Sequence, residues 1–242
     1  MKKEIVFVAD IADDIDDVIA IEYLANIGLL ECVVLDGKSR DAKRENELEK
    51  IGVTFEVEIP KDAKILFCGG ALNKISEFVK TNKIDLLVAN GGFAGTNIVK
   101  KENVLNKFKN KEKIRTYNFN MDIDATLNVI SSENIENIIL VSKNVCHSEL
   151  NCIYKIHNDN FLDKYILDKG KRLHDLLMVK EGVNYILGNK MNCEYLNVTP
   201  ICVRKVPDNM SVWGSELNNK SNIKISISLN SFSNESTIKA LP

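Results

Sequence analysis

A chain of 242 residues, 45% apolar and 27% charged, is long enough for one large domain or two small ones around a substantial core. Its 32 Lys and Arg against 34 Asp and Glu leave a formal charge of -2, which disfavours general binding to a nucleic-acid backbone. The longest apolar run near the start, Ile5–Ala9, is too short for a secretory signal core or a bilayer span, so a cytoplasmic protein without membrane association is expected.

Short β-branched runs alternate with helical patterns. Strands are expected at Glu4–Ala9, Cys32–Leu35, Lys64–Cys68, Asp85–Ala89, Arg115–Asn118 and Asn137–Ser142. Between and after them, helices are expected at Asp16–Ile27, Asp41–Ile51, Leu72–Thr81, Asp122–Ser131, Phe161–Asp168 and near Leu173–Gly182. After about Asn192 the chain turns β-rich, with strands at Ile201–Val206 and Ile223–Leu229. No Pro/Gly/Ser-rich linker and no internal repeat divides it. The pattern predicts a single α/β domain over residues 1–242, a mainly parallel β-sheet flanked by helices with a Rossmann-like core. The cysteines at 32, 68, 146, 152, 193 and 202 form no C-x-x-C pair, and several sit in apolar runs. Buried, reduced thiols are the reading, rather than zinc ligands or disulfides.

Ligands of such folds gather where strands end and helices begin. The segment after the first strand places Asp10, Asp13, Asp14, Asp16 and Asp17 within eight residues, at the opening of a helix. Capping and the helix dipole account for one or two of these aspartates. The repulsion among all five calls for a cation, and carboxylates alone suit a hard one, Ca²⁺ or Mg²⁺. A solvated acidic loop is the other reading of this segment.

The same segment resembles the N-terminal signature D-T-D-I-G-D-D-I-D-D-A-L-A-L of the inosine–uridine-preferring nucleoside hydrolase family, with Val8 standing where that family has its first aspartate. Four further stretches match in order. Cys68-Gly69-Gly70-Ala71-Leu72-Asn73 resembles its G-P-L-T-N turn, and Asn90 through Asn97 its M-G-G stretch and following G-N. Tyr117-Asn118-Phe119-Asn120 with Asp124-Ala125 resembles E-F-N…D-P-E-A-A, and Leu173-His174-Asp175-Leu176 resembles H-D-P-x-A. The match runs from Glu4 to about Val179, with weaker similarity around Trp213-Gly214. Two departures concern the pocket: Asn118 replaces a glutamate, and Gly37-Lys38 replaces a ribose-binding G-N. The chain is also shorter than family members between its second helix and Lys64.

The resemblance implies a Ca²⁺-dependent hydrolase that cleaves the N-glycosidic bond of a ribonucleoside, releasing base and ribose, in salvage of nucleosides or of modified ones of the queuosine type. It implies Asp10, Asp17, Asp175 and the Leu72 carbonyl as calcium ligands, with Asp10 also the general base and His174 the acid beside the leaving base. Asp16, Asn97, Asn118 and Asn120 fall at ribose-binding positions. Asn118 in place of a glutamate removes a charge at the 5′ end, which would ease entry of a 5′-phosphate. His147 is a secondary pocket candidate, and His157 is read as structural. Family members form dimers or tetramers, so a homo-oligomer is implied. Two rivals stand beside this reading. A nucleoside-binding homologue without turnover is motivated by Val8, Asn118 and the shortened segment. A haloacid-dehalogenase-like phosphatase also uses an aspartate after its first strand, but needs a second where this chain has Ala12.

Overall fold

The computed structural model describes residues 4–11, 15–36, 42–148, 171–205 and 210–230. The expected helix at Phe161–Asp168, together with Asp13, Asp14, Gly37, Lys38, Cys152 and His157, lies outside the described residues.

A continuous apolar run makes β1 (Ile5–Ala9) a strand buried on both faces. Val6 and Val8 enter one core; Ile5, Phe7 and Ala9 enter the other. Chain order then runs through α1 (Asp16–Asn26), β2 (Leu30–Leu35), α2 (Ala42–Lys50), β3 (Phe55–Glu56), β4 (Ile65–Cys68) and α3 (Asn73–Phe78). It continues through β5 (Ile84–Asn90), α4 (Tyr117–Met121), α5 (Ile123–Ile130), β6 (Ile135–Val141) and α6 (Lys143–Cys146). The helix α7 (His174–Ile186) leads into β7 (Cys193–Lys205), β8 (Met210–Leu217) and β9 (Ile223–Leu229).

Among the described residues one nine-stranded sheet results, in the order β3-β2-β1-β4-β5-β6-β9-β7-β8. Every pairing from β3 to β9 is parallel, and β7 is antiparallel to both its neighbours. Helices α3 and α5 cover one face through Ile75, Phe78 and Val129; α1 and α7 cover the other through Ile21, Leu24, Leu177 and Val183. The expected α/β architecture with a mainly parallel sheet is the one observed. No described helix is long and apolar enough to cross a membrane.

The expected strand at Arg115–Asn118 is corrected. Only Ile114 bridges, to Trp213, and the chain then turns into α4. Both edges of β5 are already occupied, by β4 and β6, so this stretch meets no open strand in the parallel sheet. Two strands left no signal in the sequence: β3 has only two residues, and β8 carries Ser, Gly and Glu among its apolar positions.

Glu181 of α7 is fully buried and accepts bonds from Asn192 N and Nδ2, Cys193 N and Tyr195 Oη, at 2.9–3.0 Å. This carboxylate ties the end of α7 to the start of β7. Glu181→Ala strands those donors in the interior, so a loss of about 2–3 kcal/mol is expected, read as a lower urea midpoint at unchanged slope.

Candidate active site

The strand order reverses at β1, because the chain moves outward to β2 and β3 and then returns to β4 on the other side. That switch opens a crevice beyond the carboxyl ends of β1 and β4. Gly69 N bonds Val8 O at 3.0 Å and Asp36 N bonds Ala9 O at 2.8 Å, closing the crevice floor. Above it lies a cavity of about 430 Å³ lined by acids from separate stretches of chain: Asp10 after β1, Asp16 and Asp17 opening α1, and Asp175 in the first turn of α7.

The glycine turn after β4 lets these carboxylates converge. A Cβ on Gly69 would stand 2.5 Å from Asp17 Oδ1 and 3.2 Å from Asp175 Oδ1, and one on Gly70 would stand 3.4 Å from Asp10 Cγ. Asp16 does a different job. Its Oδ2 accepts from His174 N at 2.7 Å and from Asp175 N at 3.3 Å, capping α7, whose own N-cap, Leu173, has no side chain to do so. Asn90, at the end of β5, donates to Asp175 Oδ1 at 2.8 Å and so fixes that carboxylate.

Asp17 is 3% exposed, and its Oδ1 has no hydrogen-bond partner. Burial drives its carboxyl well above the usual range, and the charges of Asp175, Asp10 and Asp16 push it further; its hydrogen bond with Asp10 acts in the same direction. Among the described residues no three His, Cys, Asp or Glu side chains stand as a finished metal shell. The donor chemistry nonetheless fits a hard cation: the oxygens are carboxylate, they repel one another, and one is buried without a partner. Asp10, Asp17 and Asp175 are the residues that could hold it.

Other sequence-derived positions divide. Asn118 lines the cavity, but its Nδ2 is engaged with Gly69 O at 2.6 Å and Asn90 O at 2.9 Å, clamping the ends of β4 and β5 together. Asn120 does not reach the cavity wall. It bonds Ser211 O, Ser211 N and Trp213 Nε1, anchoring β8. Asn97 is exposed and donates to Ser215 O at 2.9 Å. Leu72 is buried away from the lining, and its carbonyl closes the first turn of α3 on Ser76 N at 2.8 Å. His174 lines the cavity, as expected.

The sequence reading assigned no role to Asn90, Thr116, Tyr117 or Lys143, yet all four line the cavity. For Asn90 a signal existed, a polar residue closing an apolar parallel strand, and Tyr117 opens a motif segment without a role of its own there; Thr116 and Lys143 follow no motif. The His174 ring stands edge-on to His147 at 5.5 Å, His147 meets Phe108 at 5.9 Å, and Phe108 meets Phe93 at 5.0 Å. Burial, then the positive charges of Lys107, Lys143, His174 and Arg172, lower the His147 pKa to about 3. The ring beside His174 is therefore neutral at physiological pH.

No protein-family model matches the sequence, and no curated protein matches it. Among solved structures the chain is similar to an inosine-guanosine nucleoside hydrolase, with a TM-score of 0.63 and 11% identity over 96% of this chain and 95% of that one. At that identity the likeness shows a shared fold.

Proposed function

We propose that the chain is a Ca²⁺-dependent nucleoside hydrolase that cleaves an N-glycosidic bond to give a free base and a pentose. The convergence of Asp10, Asp17 and Asp175 over the Gly69-Gly70 turn carries this reading. The likeness to a nucleoside hydrolase fold and the five motif segments support it.

Asp10, Asp17 and Asp175 would hold the cation through carboxylate oxygens. When bound, Ca²⁺ supplies an acidified water and offsets charge that the protein leaves unbalanced. Asp10, at the open side of the cluster, takes the proton of the attacking water. As the glycosidic bond stretches, positive charge builds on the sugar, and the carboxylates beneath stabilise it. Asp16 acts chiefly as a positioning residue, since its Oδ2 fixes the backbone of both His174 and Asp175. His174 donates a proton to the departing base. The neutral His147 ring against it adds no second positive charge there.

A screen of ribonucleosides for release of base and ribose, with and without chelator, tests the proposal. Chelator-sensitive release is expected. Phosphate release from a phosphomonoester would favour the phosphatase reading instead, and saturable binding without product would favour a binding protein.

Asp17→Asn separates the cation from the chemistry. With chelator present this variant is expected to melt higher than the parent, because a buried, repelled carboxyl is gone. Ca²⁺ at about 100 times its Kd stabilises the parent by about 2.7 kcal/mol, about 5–10 °C in Tm for a domain of this size. In Asp17→Asn that shift collapses, as differential scanning fluorimetry would show. An undiminished shift would remove Asp17 from the cation site.

A further inference from the structure

The cavity carries both signs of charge. Besides the acid cluster, Lys143 joins the lining from the first turn of α6. Among the described residues it makes no ion pair. Burial lowers its proton affinity.

Lys143 also has cationic company. It acts together with Lys107 and Arg172 on His147, and Arg172, Lys143 and Lys111 in turn press on Lys107. Lys107 rests over the Phe108 ring at 5.0 Å rather than on an acid. Arg172 Nε is buried with no hydrogen-bond partner. Among the described residues none of Lys143, Lys107 and Arg172 forms an ion pair, and a partly buried cation such as Lys143 costs free energy unless an anionic ligand completes it. Free nucleosides offer no such anion, whereas a phosphate does, in a form that lysine and arginine both bind by charge-assisted hydrogen bonds.

We propose that the substrate carries a 5′-phosphate, received by Lys143 within the field of Arg172 and Lys107, so that the chain acts on nucleoside 5′-monophosphates in preference to nucleosides. The proposal rests on the hydrolase reading above and specifies its substrate class. The balanced reaction is nucleoside monophosphate plus water giving ribose 5-phosphate plus free base. The C1′–N bond breaks with its electron pair leaving on the base, a C1′–O bond forms to the water oxygen, and a water proton ends on the base. The phosphate ester is untouched.

The test compares each nucleoside with its 5′-monophosphate by kcat/KM, and ribose with ribose 5-phosphate by calorimetry on the Ca²⁺-supplemented protein. A preference of about tenfold or more for the phosphorylated compound is expected in both. Lys143→Gln brings the ratio to within about threefold of unity, and Lys143→Arg retains it. Parity in the parent protein overturns the proposal, as does a preference that survives Lys143→Gln. So does affinity that follows an acidic base, as in orotidine, or free inorganic phosphate binding as tightly as ribose 5-phosphate. If no compound yields free base, the hydrolase reading fails, and the calorimetric ratio still decides whether the cavity takes a phosphorylated sugar.

Discussion

Asp10→Ala is expected to lower kcat for base release by about 10³-fold at saturating Ca²⁺, the range that removal of a positioned general base commands. The loss should fall on kcat more than on folding. Asp10 stands outside both apolar cores, and its charge and hydrogen bond press on the buried Asp17. Removing it relieves that repulsion, so thermal stability in chelator is expected to hold or rise. Asp10→Asn keeps the size but cannot accept the proton, and is expected to be as slow as the alanine variant. Steady-state assays with a ribonucleoside and its 5′-monophosphate check both variants. A variant retaining a tenth of the parent kcat would deny Asp10 the role of base. The cation could then still sit on Asp17 and Asp175, with another group activating water.

Legibility in the sequence follows how local each signal is. β1 and β9 stand where the sequence pattern places them, β1 as a continuous apolar run buried on both faces and β9 as a strict alternation of apolar with polar residues. α4 was unreadable, since its identity depends on β5 having no free edge, a property of the assembled sheet. At the site, Asp10, Asp16, Asp17, His174 and Asp175 were all legible as residues that meet in the cavity. The division of labour among them was not. Asp16 caps a helix 158 residues away, and no local pattern announces that one of its carboxylate oxygens is spent on backbone amides. Asn120 and Asn97 show the converse. Each stands at a ribose-binding position by motif, yet their amides serve β8 strand backbone. The amide that makes asparagine a good ligand also makes it a good structural clamp, since it can both donate and accept, and only the fold tells which.

Gly69→Ala is expected to cut kcat/KM by about 10²-fold and to erase most of the Ca²⁺-induced rise in Tm, while the protein still folds. The backbone itself tolerates alanine there, as Gly69 does not adopt a positive φ. The added Cβ, however, would lie 2.5 Å from Asp17 Oδ1 and 3.2 Å from Asp175 Cγ. Neither carboxylate can give way cheaply. Asp17 is 3% exposed, and Asp175 is 5% exposed and held by Asn90 at 2.8 Å. Displacing them moves two of the three cation-holding groups at once. Gly70→Ala is the matched control. Its Cβ would meet Asp10 Cγ at 3.4 Å, an ordinary contact, and its backbone is likewise free of positive φ, so its effect should stay within about threefold. Equal losses in the two variants would mean that the turn matters for its flexibility. A loss confined to Gly69→Ala places the cause in the space that Asp17 and Asp175 share above the end of β4.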